Sequence, residues 1–143
     1  MAKDNFSFED NSKEVKNQFH AVSEEAMLAA LLLVEGQAKA LAAVQTGEMR
    51  DKIDHKITSQ GSKLMGQVGS PTEHAVYVEF GTGEFAENGA GRKGGWVYQD
   101  PSGEWFFTWG QEPQPFLRPA FRMTKKQVEQ IFGINFKRRF GGK

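Results

Sequence analysis

Residues 13 to about 45 contain no proline and place Val15, Phe19, Val22, Ala26, Ala29, Leu33, Gly36, Ala40 and Val44 at steps of three and four. That spacing predicts one amphipathic helix, because positions three and four apart share a face. The stretch is rich in Ala, Leu, Glu, Lys and Gln, which lose little on entering a helix. Thr46-Gly47 is the expected stop, since glycine closes helix C-termini readily. A helix of about 30 residues far exceeds the usual three turns. In a chain of 143 residues, about one domain in size, it must be a scaffold for a sheet or a contact surface between subunits. Gly36 with Ala38, Ala40, Ala42 and Ala43 keeps its second half narrow, open to the close approach of another backbone.

The elements that follow are short. Met49, Ile53 and Ile57 fit a helical spacing, but the same stretch alternates with polar residues, so it is either a turn leading into a strand or a helix. Residues 64–68 read as a strand between Gly61 and Gly69, and Ser70-Pro71 is a break. Residues 75–80 fit a strand by alternation or a helical turn closed by Gly81; Gly81 and Gly83 permit positive φ where the chain turns away. The loop 82–95 holds five glycines with Arg92 and Lys93, a composition that buries little apolar surface and predicts mobility. Trp96-Val97-Tyr98-Gln99 and Trp105-Phe106-Phe107-Thr108-Trp109 flank Asp100-Pro101-Ser102-Gly103, an aromatic hairpin with Trp105, Phe107 and Trp109 on one face. Residues 111–115 form a proline-stiffened connector. A closing helix is expected over 119–132, with Pro119 at its first position, Phe121, Val128, Ile131 and Phe132 inward, and Gly133 near its end. The expected fold class is α+β: a long N-terminal helix packed on a small antiparallel sheet, an aromatic β-hairpin and mobile Gly-rich loop, and a C-terminal helix. The expected organisation is a flexible arm (1–12, with Phe6 and Phe8), a single domain (13–133) and a basic tail (134–143).

No constellation in the chain predicts catalysis. Gly89-Ala90-Gly91-Arg92-Lys93-Gly94 matches a dinucleotide-binding pattern, but an aromatic strand follows it where a helix N-terminus is needed. His20, His55 and His74 each lack a second histidine or cysteine at a ligand spacing, and no nucleophile or oxyanion-type loop accompanies His74 beside Glu73. The carboxylate pairs Asp51/Asp54 and Glu84/Glu87 lie in polar, solvated stretches. The chain contains no cysteine, which excludes disulfides and thiolate chemistry. The longest apolar run, 26–34, is far short of the roughly 20 residues of a membrane span, and the polar N-terminus offers no signal peptide. No cofactor, metal or membrane is expected. Formal charge is zero overall but uneven: from Arg118 onward eight cations face Glu129 alone, a net of +7 that leaves −7 on the rest. This complementarity suits either a tail folded onto its own acidic face or head-to-tail attraction between neighbours. Within that segment Phe136-Lys137-Arg138-Arg139-Phe140 interleaves cations with rings, the composition of a nucleic-acid contact or of a tail that docks on a protein.

Two phrases in this order carry a resemblance: Tyr77-Val78-Glu79-Phe80-Gly81-Thr82-Gly83 and Gln114-Pro115-Phe116-Leu117-Arg118-Pro119-Ala120-Phe121, preceded by the long helix and Thr46-Gly47-Glu48-Met49-Arg50. Over about residues 13–132 the chain resembles the gene-product-ten-like family of long-tailed, siphovirus-type bacteriophages, which are tail-completion or head-to-tail joining proteins. It departs from the family in the hairpin 96–109 and the basic tail. The resemblance implies a structural, non-enzymatic virion protein of the neck, made in the host cytoplasm. It implies a hexameric ring between portal-adaptor proteins and tail-tube or tail-terminator proteins, through whose lumen DNA passes without sequence-specific binding. Glu79, Phe80, Gly81, Thr82, Gly83, Gln114, Pro115, Phe116, Leu117, Arg118 and Pro119 are then family-motif residues, structural or at an interface. Arg92, Lys93, Trp96, Trp105 and Trp109 are candidate partner contacts, and Lys137, Arg138 and Arg139 candidate contacts to DNA or protein. The alternative from another class is a nucleic-acid-binding module built on the basic C-terminal segment.

Overall fold

The computed structural model describes residues 9–42 and 47–141; the arm phenylalanines Phe6 and Phe8, and also Val44, Thr46 and Lys143, lie outside them. Helix α1 is Ser12–Leu41, followed by a single turn α2 (Glu48–Asp51), strands β1 (Asp54–Gln60) and β2 (Lys63–Gly69), helix α3 (His74–Phe80), a 3-10 turn (Gly83–Phe85), strands β3 (Trp96–Gln99) and β4 (Trp105–Thr108), and helix α4 (Leu117–Phe140). The strands form two separate antiparallel hairpins, β1–β2 with Asp54 opposite Gly69 and Gln60 opposite Lys63, and β3–β4 with Trp96 opposite Thr108. The fold is α+β, as expected. None of the described helices is long and apolar enough to cross a membrane.

The long helices run antiparallel: Phe19 near the start of α1 meets Phe136 near the end of α4 at 4.8 Å, while Gln37 reaches Met123 at the other end. Each buries a row spaced by four. On α1 the row is Val22, Ala26, Ala30, Val34 and Ala38. On α4 it is Ala120 and Thr124, continued by the half-buried Val128, Phe132 and Phe136. Rows at i±4 are the ridges that interdigitate in the commonest mode of helix packing. The expected stripe on α1 followed steps of three as well as four and drifts off this ridge, so Ala29, Gly36 and Ala40 are exposed. Phe121, expected inward, is 46% exposed for the same reason: it sits one residue off the Ala120–Thr124 ridge.

The β1–β2 hairpin also packs on α1, with Gly66 beside the groove that α1 forms with α4. Gly66 allows the close approach, since a Cβ there would come within 2.5 Å of Met27 Sδ and 2.9 Å of Leu31 Cδ2. At the far end of the helix pair a core forms from Val34, Ala38, Ala42, Met49, Ile53, Ala75, Phe116 and Ala120, with Val68, Val78, Leu117 and Val128 packed against it. The ambiguous stretch around Met49 is a turn leading into a strand. Residues 74–80 take the helical option, which puts Ala75 and Glu79, four apart, on the buried side.

Three expected boundaries move. Helix α1 ends at Leu41 and Gly47 instead precedes α2 with φ 80°. Pro119 is the third residue of α4, still within the first turn, where a missing N–H costs no helical bond. Gly133 does not end α4, which continues through residues 134–140, expected as a tail, because Phe136 and Phe140 pack onto Phe19 there. That contact outweighs the ~1 kcal/mol a helical glycine costs.

Candidate functional site

Helix α4 begins without a cap of its own: its N-cap position is Phe116, whose side chain offers no acceptor. The first turn of a helix leaves several N–H groups without partners. Here the carboxylate of Glu79, at the end of α3 and only 2% exposed, supplies the acceptors from another element. Its Oε2 accepts the N–H of Phe116 at 2.7 Å and of Leu117 at 3.0 Å, and its Oε1 accepts the N–H of Arg118 at 3.0 Å and Arg118 Nε at 2.9 Å. Burial pushes the Glu79 carboxyl upward, but the three backbone donors and the guanidinium outweigh it, so the group is held below the ordinary glutamate value. The positive end of the α4 dipole acts in the same direction.

Arg118 closes the arrangement. Its Nη2 donates to the Glu79 carbonyl at 2.9 Å, its Nη1 and Nη2 take both oxygens of Glu87 at 2.8 and 2.9 Å, and its guanidinium lies 4.5 Å from the centre of the Phe80 ring. Only a planar fork serves these acceptors together. Glu87 and then Glu79 push its pKa further up, and Arg118 in turn lowers Glu87. Around this centre the backbone of 78–87 runs beside 109–114. Gln114 N donates to Val78 O at 2.8 Å, Thr82 N to Gln111 O at 2.9 Å, Gln111 N to Thr82 Oγ1 at 2.9 Å, and Glu84 N to Trp109 O at 2.9 Å. Gly83, at φ 62°, and Gly110, at φ 123°, allow the segments to approach closely: a Cβ on Gly83 would collide with the Trp109 carbonyl and come within 2.8 Å of the Trp96 ring, and one on Gly110 would collide with the Thr82 carbonyl. The two sequence signatures are halves of one clasp.

The depressed carboxylates set a pH dependence. A carboxyl lowered on folding contributes stability above its unfolded value, 4.5 for Glu79, and that contribution is lost as pH falls through the folded value. Glu35 and Glu87 are lowered as well. Thermal melting is therefore expected to be flat above about pH 5 and to fall steeply below it, with the acid limb visibly shallower in Glu79→Gln. An unchanged acid limb in that variant would remove Glu79 from the account.

The remaining sequence-predicted residues lie at two other places. Trp96 stands at the foot of the hairpin with Arg92 5.4 Å from its ring, while Lys93 pairs with Glu84 at 3.4 Å and Gly94 N donates to Glu84 Oε1 at 2.8 Å. The loop expected to be mobile thus carries polar tethers that its composition did not announce. Trp105 and Trp109 are exposed on the hairpin, Trp109 edge-on to Phe107 at 5.1 Å. Lys137, Arg138 and Arg139 occupy the last turn of α4, at the opposite end from the clasp. Phe116 is fully buried, Leu117, Pro115 and Pro119 half-buried, and Gln114 exposed. Of the Glu84/Glu87 pair, Glu84 is held by Gly94 and Lys93 and Glu87 by Arg118.

Sequence reading missed one cluster. His55 Nδ1 meets Glu35 Oε2 at 2.5 Å and Asp54 Oδ1 at 3.5 Å, and Lys39 Nζ donates to Glu35 Oε1 at 2.7 Å. Lys39 and then His55 outweigh burial and lower Glu35. Glu35, Asp54 and His55 are the group among the described residues that could hold a metal ion. Lys39 already takes one of the Glu35 carboxylate oxygens and His55 meets the other, so the cluster is a hydrogen-bonded bridge between α1 and β1. Twenty residues separate Glu35 from His55, and no ligand spacing links them.

Compared with protein-family models, residues 6–81 match one described as "Bacteriophage HK97-gp10, putative tail-component". The chain belongs to the HK97-gp10-like family. It is thus a bacteriophage tail component and a virion protein. No curated protein and no solved structure matches the chain. The HK97-gp10-like match ends at Gly81, just past Glu79, whereas every donor to the Glu79 carboxylate lies at 116–118, outside it. The matched segment therefore depends on the following part of the chain to satisfy its one buried carboxylate.

Proposed function

We propose that this protein is the tail-completion, or head-to-tail joining, component of the virion neck. In this reading six copies form a ring between the portal-adaptor proteins and the tail-tube or tail-terminator proteins, and DNA passes through the lumen without sequence-specific contact. The protein waits in the host cytoplasm before assembly and carries out no chemistry. Family membership over residues 6–81 as a tail component carries the reading. The clasp supports it, because all its charged groups are spent on holding α3, the loop and α4 together, an arrangement suited to rigidity rather than turnover. A ring needs two unlike, complementary surfaces on each subunit. Arg122, Lys125, Lys126, Lys137, Arg138 and Arg139 have no ion pair among the described residues, against a net negative remainder of the chain.

Electron microscopy of particles made with and without this protein tests the reading. Free heads and unattached tails are expected in its absence, with ring density at the neck in its presence; joined, intact particles without it would overturn the proposal. One observation favours a second reading, a nucleic-acid-binding module: Lys137, Arg138 and Arg139 lie unpaired beside the rings of Phe136 and Phe140. Joined particles together with salt-sensitive DNA affinity that disappears on truncation before Lys137 would transfer the assignment there.

A further inference from the structure

We infer that the aromatic hairpin of one copy docks into the groove between α1 and α4 of the next. The inference rests on the ring reading and names the contact that would build it. Among the described residues the strands β3 and β4 pair only with each other, and neither makes an extensive contact with another helix or strand. A two-stranded hairpin is marginal without a hydrophobic partner, yet this one displays Val97, Trp105, Phe107 and Trp109, with Trp105 67% exposed. Contiguous apolar exposure of this kind marks an interaction surface. The hairpin cannot swing onto its own helices, because Glu84 N–Trp109 O and Thr82–Gln111 bonds pin its base.

A matching receptor lies on the same chain. Met27, Leu31 and Val34 of α1 and Phe121, Val128 and Phe132 of α4 line an apolar groove of about 500 Å³. That volume lies within the roughly 300–1,000 Å³ of pockets that hold drug-sized ligands, enough to receive inserted aromatic side chains. The charges correspond in sign as well. Residues 96–109 carry Asp100 and Glu104 and no cation, whereas the groove is lined by Arg122 and Lys125 against Glu129 alone, and neither cation has an ion pair among the described residues. Asp100 is occupied in its own turn, accepting from Ser102 and Glu104, so Glu104 is the acid free to meet Lys125. Trp105, Phe107 and Trp109, 67%, 56% and 53% exposed, bring roughly 250–450 Å² of free side-chain surface, about half of the ~800 Å² per partner of a standard interface. Hairpin and groove are unlike surfaces, so the contact is heterologous and propagates from copy to copy until it closes.

The absence of cysteine makes the test direct. Full-length Gln99→Cys, opposite Trp105 on the hairpin, and Glu129→Cys, on the rim of the groove, are prepared separately, checked for native circular dichroism, mixed, and oxidised mildly, with exposed Ala29→Cys, on the face of α1 away from Met27 and Leu31, as the off-groove control. The Gln99→Cys/Glu129→Cys pair is expected to cross-link at least about tenfold faster than Gln99→Cys with Ala29→Cys, because docking raises the effective thiol concentration. Lys125→Glu should slow the reaction, and Glu104→Lys on the hairpin partner should restore it. Sedimentation of the unmodified protein separates the two ideas. Rings that form without preferential cross-linking overturn the hairpin contact and leave the ring. A protein that stays monomeric up to its solubility limit and does not cross-link overturns the hairpin contact and removes the support for self-assembled rings. Equal cross-linking to groove and control overturns the inference even if rings form.

Discussion

Glu79→Ala is expected to lower the stability of the domain by about 3–5 kcal/mol, the range seen when one partner of a buried, hydrogen-bonded charge pair is removed. Three backbone N–H groups at the start of α4 lose their acceptor together, and each orphaned donor costs about 1–3 kcal/mol unless water reaches it. Leu117 and Arg118 are half-buried and can recruit water; Phe116 is not. For a domain of this size the loss corresponds to a fall in Tm of roughly 10–15 °C, a large part of the 5–15 kcal/mol that a typical domain holds. Glu79→Gln should fall between wild type and alanine, since an amide oxygen can still accept but the charge facing Arg118 and the helix dipole is gone. Amide hydrogen exchange gives an independent readout: the N–H groups of Phe116, Leu117 and Arg118 should be strongly protected in wild type and lose protection in the alanine variant ahead of α1. A Tm within a degree or two of wild type would mean that the clasp holds nothing in place.

Why this site was half-legible in the sequence follows from what each signal measures. The periodicity of α1, the turn Asp100-Pro101-Ser102-Gly103 and the glycines at 81 and 83 are local, and the elements they predict are present. Glu79 gave no such signal. An acid inside an apolar element reads as solvent-facing, and its burial is tolerable only because donors 37 to 39 residues further on converge on it. A hint was nonetheless present: Gln114-Pro115-Phe116 precedes a helix with no Ser, Thr, Asp or Asn at the cap, so the cap had to come from elsewhere. The hydrogen-bonded bridge of Glu35, Lys39 and His55 left no comparable trace, because it depends on how β1 lies against α1. The phase of the two long helices was likewise beyond local pattern. Whether Ala29 or Ala30 turns inward is decided by the ridge of the opposing helix, and the sequence of α1 alone accommodates both.

That last point yields the second large effect. Phe116→Ala is expected to cost about 3–5 kcal/mol, whereas Phe121→Ala should change stability by no more than about 0.5 kcal/mol. The two phenylalanines are five residues apart in one signature phrase, and the sequence pattern assigned Phe121 to the interior. Phe116 is fully buried in the core cluster that also holds Val34, Ala38, Ile53, Ala75 and Ala120, residues drawn from α1, the segment before β1, α3 and α4. Truncating it leaves a cavity that four separate elements would have to close at once, and such cavities relax only partly. Phe121 lies on the groove with nearly half its surface in water, so its removal deletes little that folding buried. The alanine at 116 keeps its backbone N–H and hence the bond to Glu79, so the loss it reports is packing and not capping. Combined with Glu79→Ala it should give less than the sum of the two, because both act on the same helix start and neighbouring sites couple. Chemical denaturation of the four proteins, read by circular dichroism, measures this directly. A large loss for Phe121→Ala with a small one for Phe116→Ala would invert the packing described for α4 and, with it, the open groove to which the neighbouring hairpin is assigned.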